Sequence, residues 1–509
     1  MRRLAALPPN SNAFTSSPPG NFADAGATHD QGAPLPAEGT PRPPSIRAVH
    51  QTTKSPTTAY TQDKAMLLRR RFLGLPAAVS GSLRRSLTTA GARIPWAMMR
   101  HRMCPVEAPS PQVRLVEPPR ISEVYVPDHL VKTAPLPDPA SDAVEARGGV
   151  VCAASGDGLL LLVFAQMRLM ARIVARQGDV PLRLPPDGFD PDHVPNVTRF
   201  VLNPVTNQMS RLPPRVAKLN PDAGPLFDVH MGLVTQADRG HGPPDRFAVA
   251  ELPEGDLMLR FLSEKGKWET VTVSPCQLPS ARRMDIHHDY DVLAFRGRLW
   301  WVDPTWGAIS VDPFSDRPEL SFVELPRGSV LPPGEPTRER VSMHFQGYAP
   351  SDDDEDDGKV WWCLYRRVGV SEGRLRYVEV CTKEPYLLSS FALDDDGSGW
   401  TLEHRVALSK LWADGGYPWL PLKEGMTPRI ALLDPLNASV VYLKVDKHIV
   451  VVDMNMKEVT GSYLYKTNFD CIPCLLPPWL GSSRIPSAGK KDAEKNKTLA
   501  NVLVRSDTP

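Results

Sequence analysis

The sequence predicts a mainly β protein built as a β-propeller-like series of repeated meanders, with a two-sheet β-sandwich as the alternative. Apolar runs of strand length recur through most of the chain, and Gly, Pro, Asn and Asp separate them. The runs also group in threes and fours, at intervals of roughly 40 to 60 residues, which is typical of propeller blades. Proline accounts for 54 of 509 residues, which favours a turn-rich fold over a helical solenoid.

Two hairpins open the predicted β domain, which we expect to span residues 113–480. RLVEPPRISEVYVP introduces ordered structure near Val113. GGVVCAASGDGLLLLVFA then predicts two strands around the turn from Ser155 to Gly158, and TRFVLNPVTNQMSRLPP two more around the turn from Asn203 to Asn207.

Further meanders are predicted downstream by the same alternation of apolar runs and turns. They comprise DRFAVAEL, DLMLRFLSE and KWETVTV; DVLAFRGRLWWVDP, GAISVDP and LSFVELP; KVWWCLYRRV, LRYVEVC, LLSSFAL and WTLEHRVAL; and RIALLDP, SVVYLKV, HIVVVDM and EVTGSYLY. In VLNP, WWVDP and ALLDP an Asn-Pro or Asp-Pro pair follows an apolar strand. Such a pair predicts a turn in which the polar side chain caps the backbone and proline ends the ladder.

The N-terminal leader is predicted to have two parts. Residues 1–65 are rich in Pro, Ser, Thr, Ala and Gly, and they contain too few aliphatic residues to offset the entropy of ordering. We therefore expect a disordered extension, or an over-extended gene model with translation starting at Met66. We also expect residues 481–509 to form a disordered polar tail.

Residues 66–104 differ because arginines alternate with Leu, Phe, Ala, Ser and Thr, with no Asp or Glu from Met66 to Met103. This pattern is typical of an organelle transit peptide. It predicts import into mitochondria, with plastids, cytoplasm or nucleus as alternatives. A basic linker without a targeting role and nucleic-acid binding by the arginines are the competing interpretations. The arginines are Arg69, Arg70, Arg71, Arg84, Arg85, Arg93, Arg100 and Arg102.

Composition limits the classes of partner. The net charge of +1 gives no global field for nucleic acid or an anionic membrane, so neither is expected. No apolar run reaches the roughly 18 residues of a membrane span. Seven scattered cysteines indicate free thiols rather than a disulfide framework. Cys471 and Cys474 form the only close pair and lack further zinc ligands at suitable spacing, so we expect structural or incidental thiols.

Three polar segments are candidates for a functional site. MDIHHDYD contains Asp285, His287, His288 and Asp289, and an exposed loop is preferred to a metal or general-base role. DDDGSGW carries Asp394, Asp396, Ser398 and Gly399; since Arg405 replaces the glutamate of a calcium loop, a turn is preferred. The acidic run Asp352 to Asp357 is predicted to be a solvated insert. No catalytic, cofactor-binding or metal residue is therefore predicted.

Two residue patterns favour structural interpretations. The tryptophans at positions 300, 301, 361, 362 and 400 mostly lie in predicted strands, which favours packing over a ligand cage. Asn196, Asn437 and Asn496 fit the glycosylation pattern, but no secretory signal accompanies them. Walker, Gly-x-Ser-x-Gly and dinucleotide-binding motifs are absent from the sequence.

Taken as an ordered set, four segments resemble the plant family known as domain of unknown function 1618 (DUF1618), expanded in grasses. They are GGVVCAASGDGLLLLVFA, RFVLNPVTNQMSRLPP, FRGRLWWVDPTWGAISVDP and SSFALDDDGSGWTLEHRVALSKLW. The Asn-Pro…Leu-Pro-Pro and Gly-Trp-x-Leu segments are also similar to the propeller domains that follow F-boxes in plant ubiquitin-ligase adaptors. The resemblance implies no catalytic residues, and the Arg-rich leader occupies the place of an F-box.

The sequence therefore predicts a non-enzymatic, propeller-like module that binds an unknown protein partner. One alternative is a substrate-recognition subunit of a ubiquitin ligase that lacks its F-box. The other is an enzyme that uses the His287 and His288 loop, which requires a carboxylate from another blade to orient an imidazole.

Overall fold

The computed structural model describes ten stretches of the chain, and the structural statements below concern these residues. The stretches are 94–132, 143–170, 196–215, 230–238, 242–253, 256–275, 291–332, 362–413, 426–465 and 470–486. All of them belong to one compact unit, Leu87–Pro509. The predicted extension 1–65 lies outside them, as do residues 66–93 and the part of the predicted tail beyond residue 486.

The strands form six mainly antiparallel sheets, which are arranged as the blades of a six-bladed β-propeller. The prediction of a mainly β, propeller-like protein is confirmed, and the two-sheet sandwich is wrong. We number the blades 1 to 6 in the order in which they meet around the ring.

Blades 3 to 6 are four-stranded meanders in which each strand pairs with the next in sequence, innermost strand first. Blade 3 contains β9 (Gly232–Gln236), β10 (Arg246–Glu251), β11 (Leu257–Leu262) and β12 (Lys267–Thr272). Blade 4 contains β13 (Asp291–Phe295), β14 (Arg298–Asp303), β15 (Gly307–Val311) and β16 (Ser321–Glu324). Blade 5 contains β17 (Arg366–Ser371), β18 (Arg374–Val380), β19 (Leu387–Leu393) and β20 (Trp400–Ala407). Blade 6 contains β21 (Arg429–Leu433), β22 (Val440–Val445), β23 (His448–Asp453) and β24 (Glu458–Leu464).

Blade 2 adds a short strand to the same meander. Its strands are β2 (Arg102–Met103), β5 (Ala143–Ala154), β6 (Leu160–Met170), β7 (Asn196–Leu202) and β8 (Met209–Arg211), in the order β2-β5-β6-β7-β8. The predicted hairpins of this region are confirmed. Between β5 and β6, Gly158 has a φ of 88°, and a Cβ there would strike the carbonyl oxygen of Leu475. Glycine is therefore required where this turn packs against blade 1.

Blade 1 closes the ring by joining the two ends of the described chain. Its order is β25-β1-β4-β3, formed by β1 (Trp96–Arg100), β3 (Gln112–Arg114), β4 (Ile121–Tyr125) and β25 (Cys471–Leu475). β25 is the innermost strand and pairs antiparallel with β1, with Ala97 opposite Cys474. Pro473 is tolerated because β25 is an edge strand, where a missing N–H does not break a ladder.

Three short α-helices and one 3-10 helix complete the described structure. They are α1 (Asp128–Val131), α2 (Trp362–Tyr365), α3 (Leu408–Ala413) and the 3-10 helix Pro478–Gly481. α2 corrects the strand predicted over KVWWCLYRRV, since only the last three residues of this segment belong to β17. The Arg366 guanidinium carbon lies 4.5 Å from the centroid of the Trp362 ring, four residues earlier, a contact that one helical turn permits.

The start of ordered structure predicted near Val113 is also wrong, because β1 begins at Trp96. Arg100 and Arg102, assigned from sequence to the Arg-rich segment 66–104, lie in β1 and β2. The sequence signal was weak because the apolar run WAMM is short. This segment forms a strand by pairing with β25, which lies almost at the other end of the chain.

The inner strands meet in a closed ring. β5 contacts β9, β9 contacts β13, and the series continues through β17, β21 and β25 back to β5. Blade 4 is therefore opposite blade 1 across the central channel. In blades 2 to 6 the inner strand precedes the turn into the second strand. In blade 1, β25 ends beside the turn that follows β5, since Cys474 Sγ lies 3.5 Å from Gly158 O. The inner strands therefore all run in one direction. We call the end of the channel where they begin the upper mouth, and the other end the lower mouth.

Polar contacts join neighbouring blades at each interface of the ring. His101 links blades 1 and 2: its N–H donates to Asp470 O (2.8 Å), and its carbonyl accepts from Val151 N (2.7 Å). Its ring Nδ1 also lies 3.0 Å from Val151 O. This residue sits between β1 and β2, so the same segment pairs first with blade 1 and then with blade 2.

The remaining interfaces use indole, guanidinium, hydroxyl and ammonium donors. The donor–acceptor pairs are Trp268 Nε1 to Pro213 O, Arg260 Nη1 to Pro313 O, Trp301 Nε1 to His230 O, Arg366 Nη1 to Ser329 O, Trp400 Nε1 to Glu324 O, Ser371 Oγ to Asp434 O and Lys444 Nζ to Asp470 Oδ1. Buried apolar clusters lie between the blades, and one of them contains Trp301 and Trp306 of blade 4 with Val234 and Ala248 of blade 3. The blades are thus held together by packing, with donors that pair with carbonyl or carboxylate oxygens across the interfaces.

The strand-ending turns confirm the predicted Asx-Pro chemistry. Asn203 Oδ1 accepts from the N–H groups of Val205 (3.0 Å) and Thr206 (3.2 Å). Asp303 Oδ1 accepts from Thr305 N (2.8 Å), and Asp434 Oδ1 accepts from Leu436 N (2.8 Å). These side chains therefore serve turns.

Candidate functional site: the upper mouth of the channel

The upper mouth brings together polar residues from the starts of several inner strands. Asp291 is the first residue of β13, Arg367 the second of β17, Arg429 the first of β21, and Cys471 the first of β25. Because the inner strands run in the same direction, these positions converge although they are far apart in sequence.

Arg367 spans the channel at this mouth. Its Nη1 donates to Ala431 O of blade 6, and its Nη2 donates to Cys471 O of blade 1 at 3.3 Å. Its Nε lies 3.3 Å from Asp291 Oδ2 of blade 4. Since blades 1 and 4 are opposite each other, one guanidinium contacts both sides of the channel. Arg367 therefore crosses the channel at this level.

The two side chains of the Arg367–Asp291 ion pair differ in their exposure to solvent. The Arg367 side chain is 17% exposed and that of Asp291 42% exposed. The pair is joined through one oxygen and one nitrogen, so it lacks the bidentate geometry that gives arginine–carboxylate pairs their strength. The carboxylate thus approaches the guanidinium from the solvent side.

Two further cations lie near Cys471, whose carbonyl oxygen accepts from Arg367. Lys444 Nζ is 2.7 Å from Asp470 Oδ1, and Arg100 Nη2 is 3.2 Å from Glu123 Oε1. Lys444, Arg367 and Arg100 all act electrostatically on the Cys471 thiol, together with the carboxylate of Asp470. Three cationic groups are therefore grouped around the first residue of β25.

The cysteine pair is buried in β25. Burial, the largest cause, raises the pKa of the Cys471 thiol to about 12, and it raises that of Cys474 to about 12 as well. Cys474 Sγ lies 3.5 Å from Gly158 O. Both groups are therefore protonated thiols at neutral pH, as the structural interpretation predicts. Among the residues that the model describes, no three His, Cys, Asp or Glu side chains are grouped to hold a metal ion.

The polar segment MDIHHDYD leads directly into the upper mouth, since its last residue is Asp291. Asp285, His287, His288 and Asp289 lie outside the described residues, so their predicted loop is not tested. The acidic run Asp352 to Asp357 and Trp361 also lie outside them.

The DDDGSGW segment is the predicted turn, between β19 and β20. Gly399 O accepts from Asp394 N (2.9 Å), and Asp396 Oδ1 accepts from Ser398 N (3.0 Å). Hydrogen bonds from Ser398 lower the pKa of the Asp396 carboxyl. The aspartates therefore order the turn itself.

The tryptophans are mainly packing groups, as predicted. Trp301 is fully buried and Trp300 nearly so, while Trp400 contacts Tyr377 edge to face at 6.2 Å. Trp362 is the exception to the predicted strand location, because it lies in α2.

A half-buried carboxyl lies at the lower mouth. Asp157, in the turn between β5 and β6, accepts a hydrogen bond from Thr235 Oγ1 at 2.5 Å. Desolvation raises the pKa of the Asp157 carboxyl, and the hydrogen bond from Thr235 opposes this shift. Asp157 therefore links the turn of blade 2 to β9 of blade 3, while its charged form is disfavoured by desolvation.

Sequence reasoning missed Arg367. The available signal was the pair Arg366 and Arg367 inside an apolar strand, where charged side chains require buried partners. The sequence could not show that the two guanidiniums diverge, Arg366 toward blade 4 and Arg367 toward blades 6 and 1.

Comparison with known proteins supports the family resemblance over part of the chain. The model of the family described as "Protein of unknown function (DUF1618)" matches residues 301–442, which extend from blade 4 into blade 6. No curated protein matches significantly. None of the described helices has the length and apolar character needed to cross a membrane.

Several solved structures are similar to this chain at low sequence identity. The periplasmic gluconolactonase PpgL of Pseudomonas aeruginosa is 14% identical, with a TM-score of 0.32, covering 75% of this chain and 99% of that one. The β-propeller domain of Cps50 (Swd1) from Myceliophteria thermophila is 8% identical, with a TM-score of 0.26, covering 63% and 75%. AztD of Citrobacter koseri is 11% identical, with a TM-score of 0.23, covering 64% and 86%. These values carry no argument about function.

Proposed function

We propose that this chain is a non-enzymatic interaction module that recognises a protein partner at the upper mouth of its propeller. The observation that carries the proposal is the position of Arg367, which crosses the channel at the upper mouth and contacts blades 1, 4 and 6. This guanidinium and the neighbouring charged side chains of the described inner strands offer polar groups that a second macromolecule can contact.

The test is site-specific photo-crosslinking in the full chain. Benzoylphenylalanine replaces either Arg429, at the upper mouth, or Met456, which lies in the turn between β23 and β24 and is 63% exposed. Because Met456 is highly exposed and belongs to the opposite end of blade 6, random collisions favour crosslinks from that site. The proposal predicts one recurrent partner from position 429 that is absent from position 456. Equal patterns from both sites would contradict it.

The identity of the crosslinked protein also distinguishes the interaction module from the ubiquitin-ligase alternative. A Skp-type adaptor captured at either position would favour a ligase subunit without an F-box. Any other recurrent partner at position 429 supports the interaction module.

We further propose that the module is imported into mitochondria. The support is the acid-free, Arg-rich composition of residues 66–93, together with the position of β1, which starts only at Trp96. Cleavage after Trp96 would remove part of a strand of blade 1, so the mature terminus should lie before this residue.

Mass spectrometry of the terminal peptide of the native protein tests import. A terminus between Ser80 and Ile94 is expected. A terminus at Met1 or Met66, in protein located outside organelles, would refute import and leave the interaction proposal intact.

A further inference from the structure

The rim of the upper mouth has the chemistry of a carboxylate receptor. Arg367 is held in place by two main-chain carbonyls from different blades, Ala431 O and Cys471 O. Such fixed positioning reduces the entropy lost when a guanidinium binds an oxyanion. Arginine also presents a planar fork that matches a carboxylate in a bidentate manner.

The present partner of Arg367 does not use this fork fully. Asp291 reaches Nε through one oxygen at 3.3 Å. The bonds to the two carbonyls engage one N–H of each terminal nitrogen, and each terminal nitrogen carries a second N–H. No described residue accepts from these second N–H groups. An incoming carboxylate can therefore gain contacts that Asp291 does not make.

Neighbouring charges favour an anion at the same place. Lys444 and Arg100 act with Arg367 on the first residue of β25, opposed there by the carboxylate of Asp470. Arg429, the residue paired with Lys444 across β21 and β22, adds a further cation at the rim. Each of these cations also has interactions of its own, so the excess is local and moderate rather than a strongly basic patch.

We propose that the upper mouth binds the carboxylate of an acidic peptide segment, which replaces Asp291 on the Arg367 guanidinium. This inference rests on the proposed function and specifies the chemistry of its partner. Asp291 is suited to be displaced because it is the more exposed member of the pair. While the site is empty it neutralises Arg367, and it moves into solvent when a ligand carboxylate arrives.

The experiment uses two probes that share the carboxylate but differ in source. Fluorescein-labelled hexaglutamate represents a peptide, and its anisotropy reports binding to the full-length protein. Succinate represents a free dicarboxylic acid and is tested as a competitor, with sodium chloride at matched ionic strength as its control. If succinate displaced the labelled peptide at concentrations as low as those at which unlabelled hexaglutamate does, the proposal that the ligand is a peptide would be contradicted.

Three variants are expected to affect peptide binding in different ways. Arg367→Met removes the fork and should weaken peptide binding about tenfold or more. Asp291→Asn removes the competing carboxylate and should tighten binding several-fold. Arg405→Met makes the same charge change on the exposed outer strand β20 and should leave binding unchanged.

Folding is controlled independently. Arg367→Lys keeps the charge and loses the fork, so it should fold and bind with intermediate affinity if Arg367→Met proves unstable. Weaker binding by Asp291→Asn, equal losses in the Arg367 and Arg405 variants, or no binding of either probe would overturn the proposal. If position 429 crosslinks one recurrent partner while neither probe binds, the carboxylate inference fails and the interaction module stands.

Discussion

Two buried serines in blade 5 differ in whether their hydroxyls have a partner. Both Ser371 and Ser390 are fully buried. Ser371 Oγ donates to Asp434 O of blade 6 at 2.5 Å, whereas Ser390 Oγ has no hydrogen-bond partner. An unsatisfied buried hydroxyl costs free energy, while a satisfied one contributes to stability. The pair is thus a matched test of the contacts between blades.

We expect Ser371→Ala to lower the free energy of unfolding by about 1–2 kcal/mol, because Asp434 O loses its donor. Ser390→Ala should leave it unchanged or raise it by up to about 1 kcal/mol. Urea unfolding followed by circular dichroism measures both. Equal destabilisation by the two substitutions would show that the hydrogen bond to blade 6 is not what stabilises Ser371.

Asp157 gives a pH-dependent prediction. Its folded-state pKa is raised by desolvation, so the protonated carboxyl is favoured in the folded protein. Stability from this residue is therefore greatest below its unfolded pKa and is lost as pH rises through the folded pKa. Asp157→Asn keeps an oxygen acceptor for Thr235 and removes the charge.

Asp157→Asn should accordingly raise the free energy of unfolding at pH 7 relative to the native chain, with a smaller gain near pH 4. Urea titrations at the two values provide the comparison. A gain that grows on acidification would contradict the assigned direction of the pKa shift. Asp396→Asn is the control, since hydrogen bonds lower the pKa of that exposed carboxyl and the dependence should reverse.

At the scale of elements, local sequence patterns were sufficient to predict the strands wherever each strand pairs with the next one in the sequence. The hairpins of β5 with β6 and β7 with β8, and the meanders of blades 3, 4 and 6, follow from alternation and turn residues. Asn203, Asp303 and Asp434 were correctly assigned to turns because the capping bonds involve residues only two or three positions away.

Elements defined by distant pairing were not predictable in the same way. β1 pairs with β25, and the two are separated by most of the chain. From sequence, WAMMR was therefore assigned to a leader, and Cys471 and Cys474 were assigned to structural or incidental thiols with no strand predicted there. α2 was missed because an apolar run of this length fits a strand or a helix equally well. The contacts of Arg367 with three other blades likewise arise only when the ring closes.

The importance of β1 and β2 can be tested by truncation. A chain that begins at residue 94 keeps all described strands, and it should unfold cooperatively with the midpoint of the full-length protein. A chain that begins at residue 104 lacks β1, β2 and His101, so β25 loses its strand partner and blades 1 and 2 lose their shared segment. We expect this chain to be aggregated or to show a broad transition by circular dichroism. Equal cooperativity of both chains would mean that β1 is dispensable.

For the whole molecule, ring closure is the condition on which the other features depend. The upper mouth exists only if β25 stands beside β21 and β5, because Cys471 O is one of the groups that hold Arg367. The partner-binding proposal, the carboxylate inference and the limit on transit-peptide cleavage all require that β1 pair with β25 in the observed register.

A cross-strand disulfide tests that register in the full-length chain. Ala97 lies opposite Cys474, and both belong to the same buried cluster, so their side chains are on one face. Ala97→Cys, in a Cys471→Ala background, should form a bond with Cys474 during oxidative refolding. Refolding is required because the buried Cys474 thiol, with a pKa of about 12, reacts slowly once the protein is folded.

Met98→Cys in the same background is the control, since residue 98 pairs with Pro473 and packs in a different cluster. Peptide mass spectrometry should find the link between positions 97 and 474 and none between positions 98 and 474. No link at position 97, or equal linking from position 98, would contradict a propeller closed by β1 and β25.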